Sequence, residues 1–267
     1  MNIRFRCDPA LLGLLPPPVP AREALPDWLR TMPANAASDM HGGASIRTVK
    51  QCPPFVDAMM HGFVMTLPCD VRVQGGRLSW DWQLPPPDTA THPRAPMSFH
   101  AAAQVSGTPF MRRDQLVVKF NSFWTIRLDP GWSLFVTHPV NRDDLPFRLL
   151  TGLVDADAFH QVGILFPAVW LDPAFEGTLP RGMPVAHCIP VRRDPLVIET
   201  GAFDADEQQR YEATARILLE ETGHYRQLSR AARSGDADGG IAAVEPLAPV
   251  EAGAQGGGVE EQQPGPS

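Results

Sequence analysis

The chain is poor in cysteine and has no apolar segment long enough to span a membrane. Its four cysteines stand far apart, without a Cys-x-x-Cys pair, which argues against a structural zinc site and a disulfide scaffold. Cys52 and Cys69 could pair across a hairpin, but we expect free thiols in a reducing cytoplasm. The apolar run Ala10–Leu15 is short and precedes three prolines, so we expect neither a signal peptide nor a membrane partner.

Positive charge is also scarce. The sequence has 23 basic and 30 acidic residues, for a formal net charge of −7, and no basic stripe of the kind that nucleic-acid binding needs. Residues 231–267 carry six acidic residues and one arginine in a background of Gly, Ala, Gln and Pro. This composition predicts a disordered acidic tail, and nucleic acid is not an expected partner.

The sequence lacks the common catalytic signatures. It has no phosphate-binding loop, dinucleotide fingerprint, His-Glu-x-x-His or Gly-x-Ser-x-Gly motif. None of its eight histidines has an acid or a second histidine two residues on, the spacing with which iron oxygenases and cupins place two ligands on one strand. One alternative stays open, a metal-dependent β-barrel oxygenase whose unusual ligands come from His138, His160 and His187.

Proline is abundant instead, with 29 residues beside six Trp and thirteen Phe. Helix interiors and central strands tolerate few prolines, so this composition favours a mainly β domain of short strands and many turns. We predict a Pro-rich N-terminal arm over residues 1–25 and a single β domain over 26–200. A C-terminal helix follows within 201–230, and the acidic tail occupies 231–267.

The helix is predicted over Phe203–Tyr225. Asp204 followed by Glu207 is typical of a capping box, an apolar stripe follows at helical spacing, and Gly223 suits the position after the last turn. We expect this helix to pack on the β domain or to form a subunit contact in a homo-oligomer.

A β-hairpin is predicted where Val71–Val73 and Leu78–Trp82 flank Gly75-Gly76. Trp80 and Trp82 then lie on one face of the second strand. Such a face usually belongs to the core, but exposed aromatic pairs also stack on bases and sugars. The two tryptophans are therefore candidate ligand-binding residues.

The most regular pattern lies in the central part of the chain. Val162–Val169 and Val185–Val191 are apolar runs of strand length, and Pro167 in the first predicts an edge, a bulge or a break. Upstream, Asp155 and Asp157 are two residues apart, so an extended chain presents both carboxylates on one side. Such a pair can serve as base and as metal or water ligand, or it can cap a solvated turn.

Three segments of this region carry a family pattern. They are Gly-Leu-Val-Asp-Ala-Asp at 152–157, Leu-Pro-Arg-Gly-Met-Pro-Val-Ala-His at 179–187, and an earlier strand, Pro-Gly turn and strand at 125–137. Together they resemble the trimeric dUTPase and dCTP deaminase superfamily over about residues 120–192. The resemblance implies a β-clip fold of short strands.

The same resemblance implies site residues. It gives Asp155 the task of orienting the attacking water or the sugar, in a hydrolase that would use Mg²⁺. The phosphate-binding turn of the family falls near Arg142, where two acids follow, and His187 stands in place of its Gln. The C-terminal Gly-rich clamp of the family has no counterpart in this sequence.

The chain as a whole also resembles a family of uncharacterised bacterial and phage proteins, a domain of unknown function. The matching segments are 48–57 (Thr-Val-Lys-Gln-Cys-Pro-Pro-Phe-Val-Asp), 119–126 (Lys-Phe-Asn-Ser-Phe-Trp-Thr-Ile) and 182–191, which starts at Gly-Met-Pro-Val-Ala. This match covers about residues 26–230. It implies no activity, because none is known for the family.

These observations give a fold and two main hypotheses of function. The fold is mainly β, a β-clip-like barrel of short strands with one C-terminal helix; a double-stranded β-helix is the alternative. The first hypothesis is a protein that binds a small, polar or nucleotide-like ligand, with or without hydrolysis. Its candidate contacts are Asp155, Asp157, Trp80, Trp82, Arg142 and His187. The second is a non-enzymatic structural or assembly protein that forms homo-oligomers.

Overall fold

Short antiparallel strands separated by turns and loops are the main regular structure of the described chain, as the proline content predicts. The computed structural model describes residues 1–82, 95–109, 116–220 and 225. The chain divides into two compact units, Met1–Gly201 and Ala202–Ser267. The first holds all the described strands and the second holds the C-terminal helix, so the prediction of a mainly β protein with one C-terminal helix is confirmed.

The described elements are short. Numbered along the chain, the strands are β1 (Arg4–Arg6), β2 (Val19–Pro20), β3 (Asn35–Ser38), β4 (Ala44–Arg47), β5 (Phe63–Thr66), β6 (Val71–Gln74), β7 (Arg77–Trp80), β8 (Met97–Phe99), β9 (Val117–Asn121), β10 (Thr125–Arg127), β11 (Trp132–Thr137), β12 (Phe147–Leu149), β13 (Gly152–Val154), β14 (Leu165–Trp170), β15 (Gly177–Leu179) and β16 (Pro184–Arg192). The helices are α1 (Asp27–Thr31), α2 (Pro53–Met60) and α3 (Ala205–Glu220). Single 3-10 turns lie at Pro9–Leu11, Ala21–Glu23, Asp39–His41, Val49–Gln51 and Ala102–Val105.

The strands form five antiparallel sheets within the described residues. The largest has the order β13-β11-β16-β5-β2, and the next has the order β12-β14-β9-β8. A three-stranded sheet, β15-β6-β7, and two ribbons, β1-β10 and β3-β4, complete the set. In this part of the chain no sheet closes on itself as a barrel.

One apolar core joins the two large sheets and the three-stranded sheet. Strand β11 shows how it is built, because Leu134 and Val136 are buried while Phe135 between them is exposed. Phe120 on β9 packs against Phe147 on β12 with ring centroids 4.6 Å apart. The core therefore holds the inner faces of the sheets and leaves their outer faces for other contacts.

Pro167 does not lie at an edge, a bulge or a break. It sits in β14, between β12 and β9, opposite Lys119 in a regular register. The ladder with β12 begins one residue later, at Ala168, and the Pro167 carbonyl accepts the Leu150 N–H at 2.8 Å. An inner strand accommodates this proline because its missing N–H falls where the neighbouring ladder ends.

The hairpin and the N-terminal segment both belong to the first unit. Strands β6 and β7 pair around Gly75 and Gly76, whose φ values of 55° and 70° suit a two-residue turn that glycine adopts readily. The predicted hairpin is confirmed. Residues 1–25, predicted as a separate arm, contribute β1, which pairs with β10, and β2, which pairs with β5.

The C-terminal helix begins at a capping box. The Glu207 N–H donates to Asp204 Oδ1 at 2.8 Å and the Asp204 N–H donates to Glu207 Oε2 at 3.0 Å, as the sequence predicts. None of the helices in the described residues is both long enough and apolar enough to cross a membrane. The predicted acidic tail, residues 231–267, lies outside the described part of the chain.

Candidate functional site

The carboxylates of Asp155 and Asp157 point to the same side, as their spacing predicts. Both contact a single guanidinium, that of Arg193. Ala156 between them is fully buried in the core. The pair lies in a turn just after the edge strand β13, where the Ala158 and Phe159 N–H groups donate to the Asp155 carbonyl at 3.0 and 2.7 Å. A turn, and not the extended chain that the spacing predicts, therefore places the two acids together.

Arg193 follows β16 and completes a polar cluster, the Arg193 clamp, formed with Ser133, Asp155 and Asp157. Its Nη1 lies 3.1 Å from Asp155 Oδ1 and 2.9 Å from Asp157 Oδ1, and its Nη2 donates to Asp157 Oδ2. Ser133 Oγ donates to Asp155 Oδ1 at 2.6 Å, and the Gly131 N–H donates to Asp157 Oδ2 at 2.9 Å. The side chain of Asp157 is 10% exposed and that of Asp155 is 60% exposed. The clamp ties the end of β16 to β11 and β13.

This arrangement suits a structural tie rather than catalysis. Hydrogen bonds from Arg193 and from the Gly131 N–H hold the pKa of Asp157 well below its usual range, so this carboxylate does not take up a proton near neutral pH. The guanidinium occupies the space between the two carboxylates, where a shared metal ion would bind. The donor set therefore does not fit the Mg²⁺ that the family resemblance implies.

A different region, the tryptophan cleft, is an open surface cleft that is large enough for a small ligand. It opens beside the hairpin with a volume of about 540 Å³, within the range of small-molecule pockets. Trp80 and Trp82 are half-buried, pack against the core and line the cleft. The Trp82 ring meets Phe123 edge-on, with ring centroids 4.6 Å apart, and this contact fixes its orientation. The polar residues that line the cleft are Asp70, Arg72, Ser79, Asp81 and Arg181.

The charges of the cleft are only partly paired. The Arg181 N–H donates to Asp70 Oδ1 at 2.7 Å, and the Arg181 guanidinium donates to the Leu14 carbonyl at 2.8 Å. The Arg72 and Asp81 side chains are exposed and form no ion pair or hydrogen bond with another described residue. Arg72 stands opposite Ser79, whereas Trp80 stands opposite the buried Val71, so the two belong to opposite faces of the hairpin. Among the described residues, the cleft is thus lined by two side chains without a charged partner and by two half-buried rings that pack against the core. The adjacent Cys69 thiol is no nucleophile, because burial and Asp70 raise its pKa to about 11.

The structure brings Arg142 and His187 to one small cavity. Both line a space of about 20 Å³, which holds about one water molecule. Arg142 is already committed to Asp144, with Nε 2.7 Å from Oδ1 and Nη2 2.9 Å from Oδ2. His187 is buried and its Nε2 contacts the His61 carbonyl. This cavity is too small for an organic ligand. Arg142 is also not free to bind one, because its guanidinium already pairs with Asp144.

The three candidate metal ligands do not converge. His138 Nδ1 accepts the Leu149 N–H at 3.3 Å, so its Nε2–H donates to the Arg142 carbonyl at 3.0 Å. Burial lowers the pKa of both His138 and His187. His160 is half-buried and its Nδ1 has no hydrogen-bond partner among the described residues. Across residues 1–82, 95–109 and 116–220, no group of three or more His, Cys, Asp or Glu side chains could hold a metal ion.

Three residues that determine the charge of the Arg193 clamp and of the tryptophan cleft were not identified from the sequence. Arg193 lies 36 positions after Asp157 and carries no local motif. Arg72 and Asp81 lie within the two strands of the predicted hairpin, and the alternation of β6 places Arg72 on the side opposite the buried Val71. The same alternation places Trp80 on the side of Val71, so the sequence pattern separates the charged face of the hairpin from the face of the tryptophans.

Comparisons with known proteins add no family or function. No protein-family model matches the sequence, and neither a curated protein nor a solved structure matches the chain. The resemblances to the dUTPase superfamily and to the uncharacterised bacterial and phage family therefore stay predictions. The function has to be argued from the geometry of the site.

Proposed function

We propose that this protein binds a small, planar and polar ligand of the nucleoside or nucleotide class in the tryptophan cleft. The observation that carries the proposal is that Trp80 and Trp82 line one volume of about 540 Å³ together with Arg72 and Asp81. The side chains of these two charged residues have no charged partner within the described part of the chain. Aromatic side chains bind bases by stacking, whatever the base. A ring that stacks there also finds a donor and an acceptor within the same cleft.

The charges of the cleft define the polar part of the ligand. Arg72 and Arg181 offer guanidinium groups to a phosphate or a carbonyl oxygen. Asp81 offers a carboxylate to a ring N–H or a sugar hydroxyl. Two aspartates and two arginines line the cleft, so a ligand of low charge suits it better than a free triphosphate. We therefore expect a nucleoside or a monophosphate to bind more tightly than a triphosphate.

We propose ligand binding alone, with no hydrolysis at Asp155 and Asp157, the two aspartates that the family resemblance indicates. The Arg193 clamp holds those carboxylates in fixed hydrogen bonds. Neither lines the tryptophan cleft. We accordingly expect ligand binding to be independent of Mg²⁺ and of Asp155 and Asp157.

Titrations with deoxyuridine, deoxycytidine and their mono- and triphosphates test this proposal, by tryptophan fluorescence and calorimetry with and without Mg²⁺. We expect binding to weaken roughly tenfold or more in Trp80→Leu and in Trp82→Leu, since stacking on one aromatic ring contributes about 1–3 kcal/mol. Trp132→Leu is the matched control, because Trp132 is half-buried but lies outside the cleft. Absence of binding by every probe, or equal loss in the control, would contradict the proposal.

A further inference from the structure

Residues 195–200, which we call the apolar arm, are exposed although they carry three large apolar side chains in succession. Leu196, Val197 and Ile198 are 85%, 76% and 77% exposed. No backbone hydrogen bond joins the arm to another described residue. An exposed, extended and apolar segment is a surface that proteins cover by association or pairing.

The arm leaves the sheet at a fixed point. The Arg193 N–H donates to the Gly131 carbonyl at 2.9 Å, and Arg193 Nη1 lies 3.1 Å from the Trp132 carbonyl. The contacts with Asp155 and Asp157 hold the same side chain. The chain is therefore anchored up to Arg193, and the exposed segment starts directly after the Arg193 clamp.

An uncovered apolar row lies on the outer face of the same sheet. Phe135 on β11 pairs with Leu153 on β13 and with Ile189 on β16, so the three side chains form one cross-strand row. Leu153 is 61% exposed and Phe135 is also exposed. The row is two residues along β11 from Ser133 of the Arg193 clamp, a separation of roughly 7 Å.

We infer that the apolar arm covers the apolar row of a second copy of this chain. Donor and acceptor surfaces lie on one chain, close together on one sheet, so a two-fold exchange of arms covers both surfaces in both copies at once. The edge strand β13 lies at the border of the acceptor sheet and offers its backbone to an extended segment. A partner of another sequence would have to supply its own apolar segment and its own exposed apolar face.

The exchanged segment is long enough to reach a second copy. Six extended residues span roughly 20 Å, enough to cross to a neighbouring sheet. Helix α3 follows in the sequence with sixteen residues, none of them buried, and Tyr211, Ala215 and Leu218 lie on one stripe. The arm and the apolar row both lie in the first compact unit, whereas α3 lies in the second, so the contact that we infer is one between arm and row.

Sedimentation and light scattering of the full chain over a range of concentrations test the inference. We expect a dimer, and we expect the variant Leu196→Ser/Val197→Ser/Ile198→Ser to raise its dissociation constant by roughly a hundredfold or more. Leu153→Asp should do the same from the acceptor side. Leu12→Ser/Met40→Ser, at exposed positions elsewhere, should leave the dimer intact. A monomeric wild-type chain, or an arm variant that dimerises normally, would overturn the inference.

A disulfide between arm and row identifies the partner. Ile198→Cys combined with Leu153→Cys, with the exposed Cys52 replaced by serine, should give a covalent dimer on mild oxidation. Each single cysteine variant should give none. A disulfide within one chain would mean that the arm covers its own sheet, and that result would contradict exchange between copies.

Discussion

The Arg193 clamp and the tryptophan cleft are both built from arginine and aspartate, but they differ in how those charges are partnered. In the clamp, Asp157 accepts from Arg193 and from the Gly131 N–H, and Ser133 donates to its neighbour Asp155. In the cleft, the Arg72 guanidinium has no charged or hydrogen-bonded partner among the described residues. Fully partnered charges stabilise a fold, whereas unpartnered charges beside an open volume remain available to a ligand.

The difference also explains why a pair of close aspartates is a weak indicator of catalysis. Their spacing put both carboxylates on one side, as expected, but the third group that meets them is a guanidinium. That partner lowers the pKa of Asp157 and removes it from proton transfer near neutral pH. The identity of the partner, which only the fold supplies, decides the chemistry of the pair.

The largest expected effect on stability comes from the core behind the clamp. Leu134 is fully buried on the inner face of β11, next to Ser133. We expect Leu134→Ala to lower the free energy of unfolding by about 2–5 kcal/mol because it opens a cavity. Urea denaturation measures this change. Leu12→Ala, at an exposed leucine, should stay within about 0.5 kcal/mol of wild type, and an equal loss in both would contradict the assigned core.

The next effect separates the two acids of the clamp. Asp157→Asn should lower the melting temperature more than Asp155→Asn, because Asp157 is nearly covered and bonded by Arg193 and Gly131 while Asp155 is largely exposed. Asp143 is exposed and lies outside the Arg193 clamp, so Asp143→Asn should change the melting temperature little.

The loss of stability in Asp157→Asn should depend on pH. The folded pKa of Asp157 is depressed, so its contribution to stability is present above the unfolded pKa of about 3.9 and is lost as the pH falls through the folded pKa. The stability gap between wild type and Asp157→Asn should therefore narrow below about pH 4. A gap that stays constant down to strongly acidic pH would mean that charge pairing is not its cause.

A smaller effect on stability is expected from the buried His187. Burial lowers the pKa of His187, so its contribution is complete above the unfolded pKa of about 6.5 and declines as the pH falls below it. The variant His187→Gln, whose amide can still donate to the His61 carbonyl, should lose less stability between neutral and mildly acidic pH. Unfolding curves at the two pH values measure the difference, and the exposed His41→Gln should behave like wild type.

The smallest effect on stability and the largest on binding should come from the cleft. Arg72→Ala should leave the free energy of unfolding within about 0.5 kcal/mol of wild type, since the Arg72 side chain is exposed and pairs with no described residue. It should weaken binding of a nucleoside monophosphate. Arg77→Ala is the matched control, because Arg77 lies on the same hairpin but does not line the cleft. Equal weakening in both variants would indicate general electrostatic attraction instead of a specific contact.

Local features of the molecule could be predicted from the sequence because neighbouring residues determine them. The hairpin follows from Gly75-Gly76, and the start of α3 follows from Asp204 and Glu207. Each of these depends on contacts within a few positions.

Features that depend on pairing between distant strands could not be predicted. Arg193 reaches the aspartates because Arg192 at the end of β16 pairs with Trp132 at the start of β11. Arg181 and Leu14 meet at the cleft although they are 167 positions apart. Pro167 is tolerated in an inner strand because the ladder of β12 ends beside it. Strand order and register, which the sequence pattern leaves open, decide all three.

We assign ligand binding to the tryptophan cleft and a structural task to the Arg193 clamp. The most direct test is a fluorescence titration of deoxyuridine monophosphate and deoxycytidine monophosphate into wild type, Trp82→Leu and Asp157→Asn, at a temperature where all three are folded. The account predicts that Trp82→Leu loses affinity for a bound monophosphate while Asp157→Asn keeps the wild-type dissociation constant. Loss of affinity in Asp157→Asn with normal binding in Trp82→Leu would contradict it and would move the ligand to the aspartates.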